Sequence, residues 1–155
     1  MKFVSRIVTA AIFCITLAAA SLASAQEGLV TLESPFDPDE TMNRVENIVS
    51  GRGFSIFARI DHAAGAESVG QNLRPTMLLI FGNPQGGTPF MQCAQTIGID
   101  LPVKFLVWED VSGQVYLSYN DPAYLAGRHD VENCPVVQNM SAALAAIAET
   151  ATAPQ

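Results

Sequence analysis

The chain has 155 residues, 49% of them hydrophobic, and fifteen acidic against eight basic side chains give a formal charge of −7. That length accommodates one domain with a full core and leaves little room for a second. The basic residues are scattered singly, so the acidic surface repels phosphate backbones and anionic lipid and excludes nucleic acid as a partner.

Residues 1–25 read as an export signal. Lys2 and Arg6 make a basic start, Ile7 to Ala20 is apolar except for threonines, and Ala23-Ser24-Ala25 supplies small residues before a cut at Gln26. The uncharged run falls short of the roughly 20 residues a spanning helix needs, so no membrane span is expected once the signal is removed. Processing leaves six basic and fifteen acidic side chains, a formal charge of −9, in one domain over 26–155 with its core at about 29–150. It also removes Cys14. The remaining pair, Cys93 and Cys134, predicts one disulfide in an oxidising compartment, periplasmic or secreted. The competing reading is two small buried side chains that never meet.

In chain order, Leu29 to Glu33 alternates as a first strand. Asp37-Pro38-Asp39-Glu40 announces a helix, with Asp37 as cap, Pro38 at the first position and an apolar stripe of Met42, Val45, Ile48 and Val49 ending at Gly51. Phe54 to Ile60 is the second strand, Phe54, Ile56, Ala58 and Ile60 facing one way and Ser55, Phe57 and Arg59 the other. A weakly helical stretch follows Asp61-His62. Met77 to Phe81 is apolar on both faces and reads as a central strand stopped by Gly82-Asn83-Pro84.

Thr88-Pro89 predicts a helix start that lasts to Gly98, with Gln85-Gly86-Gly87 as the flexible link before it. That link lacks the lysine and glycine spacing of a phosphate loop. Val103 to Glu109 and Gln114 to Asn120 form a hairpin around Asp110-Val111-Ser112-Gly113. Asp121-Pro122 opens a short helical turn reaching about Gly127. Pro135 to about Thr150 is a helix with Val137, Met140, Leu144 and Ile147 inward, and Ala151 to Gln155 is expected as a frayed tail. This order predicts an α+β two-layer sandwich, an antiparallel sheet with helices packed on one face.

Nine short motifs occur in order: Phe36…Glu40-Thr41, Gly53-Phe54, Ile60-Asp61-His62, Leu73-Arg74-Pro75-Thr76, Phe81-Gly82-Asn83-Pro84, Asp100-Leu101-Pro102, Trp108-Glu109-Asp110, Tyr119-Asn120-Asp121 and Tyr124-Leu125-Ala126…Arg128-His129. Across roughly Leu29 to Ile147 the chain resembles the family called "domain of unknown function 302". The resemblance implies an antiparallel α+β layer of the TATA-binding-protein type and often a homodimer, and it implies no established activity.

Residue chemistry offers one candidate pocket. Asp61 and His62 leave a strand at the sheet rim, and Asn83, Tyr119, Asp121, Tyr124 and His129 are the polar groups placed to join them. An imidazole beside a carboxylate serves as general base or metal ligand. The bland reading, which is favoured, makes Asp61 and Asp121 helix caps and His62 a backbone donor. No serine sits in a nucleophile elbow, and paired cysteines make poor nucleophiles. His62, His129, Met91, Met140 and the cysteines are the soft or borderline ligand types, but none has ligand spacing, and Met91 and Met140 fit core positions.

The leading expectation is therefore an exported module that binds a small ligand or an envelope protein partner, with no catalytic residue and no cofactor or metal assigned. The alternatives are a hydrolase or isomerase using Asp61 and His62, and an envelope metal- or haem-binding protein.

Overall fold

Alternation with period two gives each strand one apolar row to bury. In the structure, a computed structural model describing residues 28–154, five such strands form one sheet. They are β1 (Leu29–Ser34), β2 (Ser55–Asp61), β3 (Thr76–Gly82), β4 (Val103–Glu109) and β5 (Val115–Asn120). Their spatial order is β1-β5-β4-β3-β2, and every neighbouring pair is antiparallel. The export signal expected over residues 1–25 lies outside the described residues.

The helices are α1 (Pro38–Gly51), α2 (His62–Glu67), α3 (Pro84–Cys93), α4 (Pro122–Arg128) and α5 (Val137–Thr152), with a 3₁₀ turn at Gln95–Ile99. Helices α1 and α5 cover one face of the sheet, as the two-layer reading requires. Met42, Val45 and Val49 of α1 and Leu144, Ile147 and Ala148 of α5 meet the buried strand rows. Through the middle run the rings of Phe54, Phe81, Phe105 and Tyr119, with successive centroids 5.7, 5.0 and 5.2 Å apart. Each fully buried side chain of this kind contributes about 2–3 kcal/mol.

The cap expected at Asp37 is present: its Oδ1 accepts the Glu40 N–H at 2.7 Å, with Pro38 in the first turn. The hairpin also closes as predicted. Asp110 Oδ1 accepts from the N–H groups of Ser112 and Gln114 and from the Ser112 hydroxyl, and Gly113 adopts φ 84°, a conformation that costs a residue with Cβ about 1–2 kcal/mol.

Three local expectations change. First, α3 begins at Pro84. Asn83 Oδ1 accepts the Gly86 N–H at 2.8 Å, so Asn83-Pro84 is the cap and first position, Gly86 and Gly87 are helical, and Pro89 lies inside the helix. Two cap-and-proline pairs stand five residues apart, and the earlier one wins because it ends β3 directly. The helix stops at Cys93, and Ala94 turns extended before the 3₁₀ turn.

Second, the alternation of β2 breaks. A bulge between Ile56 and Ala58 leaves Phe57 without a cross-strand partner. Beyond it Arg59 opposes Leu79 on the helix-covered face and reaches Asp39 at 3.0 Å and Glu46 at 3.4 Å on α1, while Ile60 opposes Leu78 on the open face. Third, the tail does not fray at Ala151. Helix α5 continues to Thr152 because Arg44 donates to the carbonyls of Thr150, Ala151 and Ala153, satisfying the helix end and its negative dipole pole.

Candidate functional site

The register divides the predicted polar residues between two ends of the sheet. Asp61 pairs with Met77 where β3 begins, whereas Ser55 pairs with Gly82 where β3 stops, next to Asn83. Strand β5 runs parallel to β3, so Tyr119 and Asp121 also lie at the Asn83 end. Asp61 and His62 therefore stand a strand's length from Asn83, Tyr119 and Asp121.

Asp61, Asn83, Asp121 and His129 have structural hydrogen-bond partners, whereas the backbone bond expected of His62 is not formed among the described residues. Asp61 Oδ1 caps α2 through the Ala64 N–H at 3.0 Å, and His62 is exposed. Asp121 Oδ1 caps α4 through the Ala123 N–H and also accepts the Ser141 hydroxyl at 2.7 Å. Tyr119 is buried, which raises its phenol above the usual tyrosine range, an effect reinforced by the charges of Asp121 and Glu149. Tyr124 lies over Gly28, whose φ is 79° and where any Cβ would fall inside the ring.

His129 has the most developed surroundings. Its Nε2 is 2.7 Å from Asp100 Oδ2 and its Nδ1 2.9 Å from Thr96 Oγ1, and Arg128 donates to Asp100 Oδ1 at 2.8 Å. Neither Asp100 nor Thr96 was among the sequence candidates, although Asp100-Leu101-Pro102 and Arg128-His129 were both recognisable motifs. Hydroxyl, imidazole and carboxylate follow in the order of a nucleophilic relay. Here they connect the segment after α3 to the end of α4, and Thr96 is not among the residues lining the cavity at the Asn83 end of the sheet. The cluster works as a latch. Cys93 and Cys134, which the structure joins in a disulfide, tie the same two regions together.

The feature the sequence reading missed is a cavity of about 370 Å³ at the Asn83 end. Phe54 just before β2 and Phe57 within it bound the cavity, with Met91 from α3, Leu101 and Val103 from the entry to β4, and Met140, Ala143 and Leu144 from α5. Backbone at Gly82, Gly86, Gly87 and Gly98 completes the wall. Among the described residues no charged side chain reaches it, and the polar side chains that line it are Asn83 and Thr88.

Its origin is visible in the packing. The main core and a second cluster built on Phe90, Ile97, Leu125 and Val137 meet at Leu101 and Met140, which touch both. The cavity opens along this seam. Met91 and Met140, assigned from sequence to the core, are half-buried wall residues. The doubled glycine after Asn83-Pro84 was the available signal, since glycines bring backbone to a surface that side chains would fill. Among the described residues, no group of three His, Cys, Asp or Glu side chains is placed to hold a metal ion.

Fold and cavity together define a two-layer α+β protein with an apolar chamber at one end of its sheet. The chain belongs to the family described as domain of unknown function DUF302, whose model matches residues 30–147. It is similar in fold to the crystal structure of an uncharacterized conserved DUF302 protein from Bacillus stearothermophilus, with a TM-score of 0.74 at 20% identity over 81% of this chain and 99% of that one.

Among curated proteins it is 53% identical over 104 residues to fluoride-specific ion channel FluC 1 of Brucella suis biovar 1 (strain 1330), covering 67% of this chain and 41% of that protein. Fluoride-specific ion channel FluC 1 of Brucella abortus biovar 1 (strain 9-941) matches at the same identity over 38% of its length. The chain thus spans about two fifths of the curated relatives it matches.

Proposed function

We propose that this protein is an exported, non-catalytic module that binds a small apolar molecule in the cavity at the Asn83 end of the sheet. The observation that carries the proposal is a chamber of about 370 Å³ with no charged side chain among the described residues on its wall. A preformed, mainly apolar pocket with a few polar groups is the usual form of a small-molecule site. An apolar cavity of about 150 Å³ already suffices for benzene. The disulfide supports the exported location, since such bonds persist in oxidising compartments. The half-exposed apolar residues on the open sheet face, Ile60 among them, support the homodimer expected from the family resemblance.

The names of the Brucella relatives suggest a second level of the same reading. Among the described residues no helix is long and apolar enough to cross a membrane. We propose that the region shared with those channels is an accessory domain and that conduction belongs to the remainder of their length.

The test uses the methionine methyl groups as reporters. Neutral apolar fragments titrated into the purified, disulfide-bonded chain should shift the NMR signals of Met91 and Met140, and Ala143→Leu, which narrows the chamber, should weaken binding and reduce those shifts. Fragments that move only signals of the open sheet face, or none, would overturn the binding-module reading.

A further inference from the structure

Two aspects of one irregularity meet at the mouth of this cavity. One is the β2 bulge, a device that re-aims a side chain out of its strand row. The other is Phe57, the bulged residue, which lines the chamber yet remains 60% exposed. A large apolar ring held in water beside an apolar cavity lacks a partner on one face. Its Cε2 would lie 3.8 Å from a Cβ built on Gly82, so the ring rests over the rim where β3 ends.

The walls themselves favour flat, unsaturated occupants. Phe54 presents a second ring, and the thioethers of Met91 and Met140 are well suited to aromatic edges at about 5 Å. The glycine backbone at Gly86, Gly87 and Gly98 forms surfaces without protruding side chains. With no charged side chain among the described residues on its wall, the chamber favours an uncharged group in its interior, because a buried unpaired charge would be costly. Asn83 spends its Oδ1 on the Gly86 N–H, which leaves its amide NH₂ as a donor, and Thr88 is the other polar side chain among the lining residues. A ligand oxygen fits those groups.

We infer that the chamber takes a neutral aromatic molecule of one or two rings bearing a single hydroxyl or carbonyl oxygen, and that Phe57 closes over its face. This assignment rests on the binding-module reading and goes further by naming the ligand class and the residue that selects it. Oxygen at Asn83 and Thr88 fixes orientation, and the Phe57 ring distinguishes a flat π-system from an alkyl chain of equal area.

The probes are 2-naphthol and 1-decanol, titrated by calorimetry into the disulfide-bonded chain and into Phe57→Ala and Asn83→Ser. Phe57 is exposed, so its truncation leaves the folded core intact, and Ser keeps a capping oxygen for α3. The expected result is tighter binding of 2-naphthol than of 1-decanol. Phe57→Ala should weaken 2-naphthol roughly five- to ten-fold and 1-decanol by less than half that factor. Asn83→Ser should weaken 2-naphthol and leave naphthalene, titrated as the control without an oxygen, unchanged, and equal losses for these two would overturn the placing of the ligand oxygen at Asn83. Preferred binding of 1-decanol, or equal losses for both probes on truncating Phe57, overturns the aromatic assignment while the apolar binding site stands. No binding of either probe overturns both.

Discussion

At the scale of single residues, the most consequential contacts are those that connect distant parts of the chain. Asp100 accepts from both His129 and Arg128, and its side chain is only 12% exposed. Removing it leaves a buried imidazole without its partner, so Asp100→Ala should lower unfolding free energy by about 2 kcal/mol in urea titration. Thr96→Ala, at an exposed hydroxyl, should cost distinctly less. Equal stability of Asp100→Ala and the parent chain would show that the latch carries no load.

Tyr119 gives a pH signature of opposite origin. Burial, then the charges of Asp121 and Glu149, raise its phenol, so the folded chain keeps a proton that the unfolded chain loses above about pH 10. Stability from this group is complete below that value and falls as pH rises through and beyond it. Urea midpoints taken from about pH 9 to about pH 11 should fall more steeply for the parent than for Tyr119→Phe.

At the scale of elements, capping explains where helices begin, and long-range ties explain where the end of the fold holds together. Asp37, Asp61, Asn83 and Asp121 each accept a backbone N–H at the start of the helix that follows. The Cys93–Cys134 bridge spans 41 residues and joins the end of α3 to the segment before α5. By loop-closure entropy it contributes about 4 kcal/mol. The double variant Cys93→Ser/Cys134→Ser should therefore unfold at markedly lower urea, and the same chain under reducing conditions should match it. Because α3 forms a cavity wall, the double variant should also bind apolar fragments more weakly in the methyl NMR experiment.

For the whole molecule, one face of a five-stranded sheet meets two helices, and the ring series from Phe54 to Tyr119 crosses that interface. Phe81 sits in its middle, fully buried and in contact with Phe54 and Phe105. Phe81→Ala should cost about 3–5 kcal/mol, enough to unfold a marginal domain. A change at Ile60 on the open face, such as Ile60→Thr, should stay within about 1 kcal/mol. A similar loss at both positions would contradict the assignment of covered and open faces.

The sequence by itself determined the strands, the caps and the single covered face. A helix cap is a hydrogen bond across three residues, and a strand row is a period of two, so each is written within a few consecutive letters. Even the misplaced start of α3 arose from two valid cap-and-proline signals, at Asn83-Pro84 and Thr88-Pro89. The tertiary structure alone decided the bulge at Phe57, the pairing of His129 with Asp100 and the chamber between the two hydrophobic clusters. These depend on how separate elements meet in space. A void is the volume that several surfaces jointly fail to fill, and no local stretch of sequence contains that sum.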